Sequence, residues 1–354
     1  MADYLLTGAT GWLGKRVLKA LTQGLDFPAG NFTQQKKLEK GGHNVTCLVQ
    51  SAEDVPAIEA HGAKAVIGDV TDTDSLLTFM QGQEGAILLH CAGLIHPTLW
   101  TRDFYRINMQ GTQNVINTAA TLNIGRIVIV SSNSPIGCNP QPDHVFTEES
   151  PYNPYMGYGR SKMKMEQFVR QCMTTPGYPE LVIVRPPWFY GPDQPLRQST
   201  FFQMVREGKF PLMGAGQNRR SLGYVDSLAY GLLLAAQQPQ AAGEIYWLAD
   251  AKPYAMLEII DTIKAVMSED FGLKVAEKNL HVPAIISDGA YLADRVLQGA
   301  GVYHQKIHVL SEMNKTIACS INKAQEELGY HPLYDLRQGM HHSIKWCLDH
   351  GQQV

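Results

Sequence analysis

The sequence predicts an α/β fold, a doubly wound parallel sheet with a smaller mixed α/β C-terminal lobe that binds substrate. Three observations predict it. Short apolar stretches alternate with amphipathic stretches through about the first 190 residues. A glycine cluster stands at the first apolar-to-helical junction. After Pro186-Pro187 the alternation gives way to mixed prolines, glycines and aromatics.

The apolar stretches predict strands at 3–7, 44–49, 64–67, 86–90, 126–131 and 181–185. Near-continuous apolar strands separated by helix-length segments indicate a parallel sheet covered on both faces. Helices are predicted at about 12–23, 103–122 and 155–173. In the second, Phe104, Ile107, Gly111, Val115, Ala119 and Leu122 recur at helical spacing, and in the third Ser161, Met165, Phe168, Val169 and Cys172 form one stripe. The Pro-, Gly- and Lys-containing segment 25–42 reads as a surface insertion that lengthens the first βαβ unit. The division expected is 1–185 for the first domain and 186–354 for the second, with part of the latter crossing back.

Composition narrows the function classes. A net charge of −3 marks no polyanion-binding surface, so no nucleic-acid partner is expected. The six cysteines are scattered without a CxxC pair, which suits reduced thiols rather than a disulfide framework or zinc site. His341-His342 lacks partners at ligand spacing, so no metal is expected. No signal peptide and no apolar run of about 18 residues is seen, and the expectation is a soluble, cytoplasmic protein without a membrane span.

Thr7-Gly8-Ala9-Thr10-Gly11-Trp12-Leu13-Gly14 follows a strand and opens a helix. Glycines permit a tight turn and close backbone approach to a pyrophosphate, whose charge the free N–H groups of the helix start bind. The spacing is GxxGxxG rather than GxGxxG. Gly68-Asp69-Val70 and His90-Cys91-Ala92-Gly93 end later strands, where doubly wound sheets bind ligands. The pattern is that of a Rossmann-type dinucleotide site. An acid expected after the second strand for NAD is replaced by Gln50-Ser51, which favours NADP slightly over NAD. Lys15 and Arg16 either meet a 2′-phosphate or are solvated helix charges.

Tyr158 and Lys162 lie four apart on one helix face. A cation near the phenol favours its ionised form and makes Tyr158 an acid/base. Tyr155 competes but has Gly159 at the fourth position. Ser131-Ser132 brings hydroxyls to the same sheet edge, where one can bond a substrate carbonyl. Asn108 either supports the lysine or is a satisfied core amide. Asn133 and Ser134 supply no acidic dyad for elimination.

Taken together the chain resembles the extended short-chain dehydrogenase/reductase superfamily, the NAD-dependent epimerase/dehydratase fold. Further matching stretches are Asn108-Met109-Gln110-Gly111-Thr112-Gln113-Asn114-Val115, Arg185-Pro186-Pro187-Trp188-Phe189-Tyr190-Gly191-Pro192, Tyr224-Val225-Asp226, Gly243-Glu244-Ile245-Tyr246-Trp247-Leu248 and Lys323-Ala324-Gln325-Glu326-Glu327-Leu328-Gly329-Tyr330. Ser131-Ser132-Asn133-Ser134-Pro135-Ile136-Gly137 and the C-terminal Lys323 stretch are most similar to the 3β-hydroxysteroid dehydrogenase-type branch. The resemblance implies that Ser132, Tyr158 and Lys162 are catalytic, with Asn108 supporting. It implies cofactor contacts at Gly8, Thr10, Gly11, Trp12, Leu13, Gly14, Gln50, Ser51, Asp69, Val70, Cys91, Ala92, Gly93, Lys162 and Pro186.

The activity implied is interconversion of a secondary alcohol and a ketone. In the C-terminal lobe Trp188, Phe189, Tyr190, Phe201, Phe202, Met204 and Met213 either form an apolar substrate wall or are ordinary core, and for each singly core is the better reading. Arg219 resembles a diphosphate-binding position of sugar-nucleotide epimerases, which keeps epimerisation by tightly bound NAD as the alternative. A non-catalytic dinucleotide-binding protein is a minor one. A homodimer through the helices near 103–122 and 155–173 is implied by the resemblance alone.

Overall fold

The computed structural model describes residues 3–26 and 41–354 of the protein. The insertion expected at 25–42 falls mostly outside the described residues.

Seven parallel strands form the main sheet in the order β11-β6-β5-β4-β1-β2-β3. They are β1 (Asp3–Thr7), β2 (Asn44–Val49), β3 (Lys64–Ile67), β4 (Ile87–His90), β5 (Arg126–Val130), β6 (Glu180–Arg185) and β11 (Ile245–Trp247). All six strands expected from sequence match to within one residue at each end, three of them exactly. The seventh comes from the second half of the chain. Ile245, Tyr246 and Trp247 pair with Ile183, Val184 and Arg185, which returns the C-terminal half to the sheet. Strand order reverses between β1 and β4, opening a crevice at their C-terminal ends where such sheets bind ligands.

Apolar strands cover well only if both faces are packed. On one face α1 (Trp12–Thr22) and α7 (Val225–Gln237) bury Val17, Leu21, Leu228 and Leu232 against Leu6, Leu89 and Val128. On the other, α3 (Thr73–Met80), α4 (Thr112–Thr121) and α5 (Met156–Met173) bury Phe79, Val115, Met165 and Val169 against Leu5, Leu88 and Ile127. Burying one such side chain stabilises by about 1.5–3 kcal/mol, so each face is a substantial source of stability.

The helix expected at 103–122 is not uniform. Arg102–Phe104 leads into a π-helical stretch, Tyr105–Gly111, before α4. Single wide turns of this kind occur where side chains serve a site. Here Asn108 is fully buried and bonded to a neighbouring loop, while a Cβ on Gly111 would lie 2.7 Å from Val70 Cγ2.

The second lobe holds short strand pairs. β7 (Trp188–Tyr190) runs parallel to β10 (Leu222–Tyr224), β8 (Pro211–Met213) parallel to β13 (Leu280–Val282), and β9 (Arg219–Arg220) antiparallel to β12 (Tyr254–Ala255). Helices α6 (Leu196–Arg206), α8 (Met256–Ala265) and α12 (Leu336–Asp349) close a separate core around them. A hairpin of α9 (Ile285–Gly299) and α10 (Gln305–Glu312) lies against the start of α5. Among the described residues no helix is long and apolar enough to cross a membrane.

Candidate active site

The glycine turn sits at the crevice between β1 and β4. Gly8 has φ +74, and a Cβ there would lie 2.6 Å from Ala92 N. A Cβ on Gly14 would lie 1.9 Å from Gly8 O. Only glycine permits both this backbone and this closeness. Gly11 caps α1 without any side-chain hydrogen bond, so the first amides of the helix keep their capacity for an anion. Thr10 and Gly11 are exposed and Leu13 is buried. Trp12 instead packs on Phe189 at 4.8 Å and donates its indole N–H to Pro192 O at 2.6 Å.

A polar chain ties this turn to the next element. Thr7 and His90 are partners in the β1–β4 register. His90 Nδ1 lies 2.7 Å from Thr7 Oγ1 and its Nε2 lies 2.9 Å from Thr112 Oγ1. Thr112 gives its own proton to Asn108 O, so His90 donates from Nε2 and accepts Thr7's proton at Nδ1. Burial, aided by Lys162, pushes the His90 pKa down to about 3, so the ring is neutral. Ala92 N–H then donates to Thr7 Oγ1 at 3.3 Å, which fixes the Cys91-Ala92-Gly93 turn over Gly8.

Asp69 follows β3. It accepts from Thr71 N–H and Oγ1 at 2.8 Å each and from Gln50 Nε2 at 2.7 Å. Burial raises its pKa, but these bonds outweigh burial and hold it below the usual carboxylate range. Val70 is buried, Ser51 Oγ donates to Asp54, and Pro186 is buried just past β6. Arg16 corrects an expectation. Its guanidinium grips Asp226 through Nε at 2.5 Å and Nη2 at 2.9 Å, and Asp193 at 2.7 Å. It is a buried, ion-paired cation rather than a solvated helix charge. Lys15 is exposed.

The catalytic candidates converge past β5. Lys162 Nζ donates to Val130 O at 2.9 Å, and a Cβ on Gly93 would lie 3.4 Å from both Lys162 Nζ and Asn108 Oδ1. Asn108 accepts from Leu94 N–H at 2.7 Å and donates to Leu94 O at 2.9 Å and Ser161 Oγ at 3.2 Å. It is therefore both a satisfied core amide and the pin that holds the cofactor turn beside the lysine. Burial pulls the Lys162 pKa down to about 8, against the pull of Glu166.

Tyr158 is buried beside the Phe104 ring at 5.8 Å. Burial pushes its pKa up to about 12, with a hydrogen bond from Ser132 opposing and Glu312 adding to the rise. The expected lowering by Lys162 is absent because the ammonium faces Val130 O and the cofactor turn. The phenol therefore keeps its proton at neutral pH. Tyr155, the competitor, bonds Ser311 Oγ at 2.7 Å and faces α10.

The two serines diverge. Ser132 lies near Tyr158 and bonds Asn133 Oδ1 at 3.3 Å and Ser134 Oγ at 3.4 Å, while Ser131 donates to Glu166 Oε1 at 2.5 Å. Glu166 is completely buried, paired with Arg185 at 3.0 and 2.6 Å and bonded by Tyr152 OH at 2.9 Å. Sequence reasoning missed this cluster, although Glu166 stands four residues after Lys162 on the same helix.

Farther out, Trp188 is 37% exposed and packs edge-on against Phe201. Tyr190, Phe201 and Phe202 belong to the core of the lobe rather than to an open wall, and Met213 is buried. Arg219 gives its guanidinium to Pro142 O at 2.9 Å and His144 O at 3.1 Å.

Comparison with known proteins places this geometry. The chain is 52% identical over 348 residues to the uncharacterized protein y4nL of Sinorhizobium fredii, covering 98% of this chain and 96% of that one. It is 26% identical over 343 residues to a farnesyl-dihydroquinoline-1-oxide ketoreductase of Stigmatella aurantiaca, covering 95% and 93%. It is 24% identical to mouse 3 beta-hydroxysteroid dehydrogenase type 7, covering 97% and 95%. The crystal structure of gox2253 shares the fold with a TM-score of 0.76 at 23% identity over the whole of both chains. Residues 4–249 match the NAD dependent epimerase/dehydratase family. The glycine crevice, the Tyr158–Lys162 helix and that match agree: the chain belongs to the NAD dependent epimerase/dehydratase family, within the extended short-chain dehydrogenase/reductase superfamily.

Proposed function

We propose that the chain is a reductase that converts a ketone on an apolar substrate to a secondary alcohol, as in the 3β-hydroxysteroid dehydrogenase-type branch. The observation that carries the reading is Tyr158, a buried phenol beside Ser132, one helical turn from a buried Lys162 that is anchored on Val130 O at the end of β5. The uncapped α1 start and the glycines that a Cβ would block fit a nicotinamide dinucleotide. When bound, the reduced dinucleotide supplies the hydride. Ser132 and Tyr158 hydrogen-bond the substrate carbonyl oxygen, and Tyr158 gives its proton to that oxygen as negative charge develops there. Lys162 supplies positive charge between the phenol's helix and the cofactor turn.

For the cofactor we propose NAD over NADP, reversing the slight preference drawn from sequence. Arg16 is committed to Asp226 and Asp193, and Glu53 and Asp54 follow the β2 end where a 2′-phosphate would sit. We also propose a homodimer through the outer faces of α4 and α5, to be checked by sedimentation, and a cytoplasmic site of action.

Epimerisation of a sugar nucleotide is the competing reading. It is weakened by Arg219, whose guanidinium already satisfies two carbonyls. The test begins with denaturing the purified protein and identifying any released dinucleotide by mass. NADH and NADPH are then offered with cyclohexanone, 2-decanone and a 3-oxosteroid, and UDP-glucose is offered separately. Empty protein that oxidises NADH with a ketone supports the reductase. Retained NAD with UDP-glucose epimerised and no net absorbance change overturns it. Dinucleotide binding without any turnover favours the non-catalytic alternative.

A further inference from the structure

Helix α9 turns its polar side inward. Ser287, Asp294 and Gln298 are buried, whereas Ile285, Leu292 and Val296 are 75%, 63% and 65% exposed. A helix that buries a carboxylate and an amide needs partners for them. Those partners lie on the catalytic helix and on α10. Gln298 Oε1 accepts from Gly157 N–H at 2.9 Å. Its Nε2 donates to the two Asp294 oxygens at 2.9 and 3.0 Å, and Asp294 Oδ2 accepts from His308 Nδ1 at 2.8 Å. With the Gln298 amino group held by Asp294, only its oxygen can face Gly157.

Gly157 immediately precedes Tyr158 in the first turn of α5. Amides there have no acceptor within their own helix, and no side chain of the flanking residue caps this one. A Cβ on Gly157 would lie 2.9 Å from Gln298 Oε1 and 3.3 Å from the Phe104 ring. The preceding Met156 has φ +51, a left-handed conformation sparsely populated outside glycine, which persists where surrounding structure holds it. The start of the catalytic helix is thus shaped by contacts from outside it.

We infer that Gln298 is a positioning residue for Tyr158: by accepting the Gly157 hydrogen bond it fixes the first turn of α5, and Asp294 fixes the orientation of the Gln298 amide. The inference rests on the proposed role of Tyr158 as proton donor. It also accounts for the inverted face of α9, whose buried side is matched to polar partners.

The test uses the full chain with Gln298→Met, Gln298→Glu and Tyr158→Phe. One readout is steady-state reduction of whichever of the three ketones turns over fastest. The other is the ring-carbon resonance of Tyr158 in protein carrying labelled tyrosine, assigned from its loss in Tyr158→Phe. Gln298→Met is expected to lower kcat by roughly tenfold to a hundredfold, the scale of a misplacement of about 1 Å, with KM within about twofold. The Tyr158 resonance is expected to shift.

In Gln298→Glu, a protonated glutamic acid keeps both hydrogen bonds, accepting from Gly157 and donating to Asp294. That variant is expected to keep most of kcat at low pH and to lose it as the new acid ionises. The charges it would face are Asp294 on α9, and His308 and Glu312 on α10, whose atoms lie 3.9 Å apart. Around them stand Tyr155 and Tyr303, the latter bonded to His96.

Wild-type kcat and an unmoved resonance in Gln298→Met overturn the inference. Should that variant fail to fold, Gln298→Glu decides: a wild-type pH profile overturns it and a loss at high pH supports it. If none of the ketones turns over, the resonance decides. Full turnover by Tyr158→Phe brings down the proton-donor reading itself, whereas an inactive Tyr158→Phe beside a wild-type Gln298→Met removes only the positioning role.

Discussion

Ser131 donates a 2.5 Å hydrogen bond to the buried Glu166 carboxylate, while its neighbour Ser132 faces the Tyr158 phenol. Successive residues leaving a strand point to opposite faces, so one serine anchors the sheet edge and the other faces the proposed proton donor. Ser132→Ala is expected to lower kcat by roughly 10²–10³ and leave the melting temperature unchanged, as removal of a transition-state hydrogen-bond donor does. Ser131→Ala leaves a charged buried group short of a partner and is expected to cost about 1.5–3 kcal/mol of stability. Rates and thermal melts of the two variants, side by side, check the assignment. An exchanged pattern refutes it.

Lys162 is held at a cost. Its pKa falls from the ordinary 10.5 to about 8, chiefly through burial. Between those values the unfolded chain binds more protons than the native one, so this group's contribution makes stability rise with pH there. Below about pH 8 the penalty is constant. Lys162→Met in cofactor-free protein is therefore expected to gain about 1–3 kcal/mol at pH 7, with the gain fading toward pH 10.5. Denaturant melts at several pH values measure it. The same lysine is expected to set the upper limit of kcat/KM near pH 8, because Tyr158 keeps its proton to about pH 12.

Arg16 separates stability from cofactor choice. Removing one partner of a buried ion pair costs about 3–5 kcal/mol, because the other charge is stranded. Arg16→Ala is expected to lose stability on that scale while the ratio of NADH to NADPH affinity stays within about twofold. Calorimetric titration of both dinucleotides reads the ratio. A selective loss of NADPH binding would return Arg16 to the phosphate.

The parallel sheet was legible because strands buried on both faces read as uninterrupted apolar runs, as in Ile127-Val128-Ile129. The glycine turn was legible because Gly8 and Gly14 have no substitute at their backbone distances. Strand β11 was not: three apolar residues in an aromatic-rich stretch carry no period, and only pairing with β6 makes them a strand. At the site, Tyr158 and Lys162 were readable because both lie on one helix. Gln298 lies 141 residues beyond Gly157, and its meaning comes from contacts across the fold. The ion pair of Arg16 was not readable because Asp226, 210 residues away, gives no local signal. Met156 looks ordinary in sequence, and no glycine or asparagine marks the left-handed backbone it holds.

The proposed role of Tyr158 as proton donor stands or falls on one comparison. Wild-type and Tyr158→Phe protein are each titrated with NADH and then assayed for its oxidation by the best ketone of the panel. Expected are an unchanged NADH affinity and a rate reduced by roughly 10²-fold or more, the scale of positioned acid catalysis. A Tyr158→Phe enzyme that reduces the ketone at the wild-type rate would contradict it.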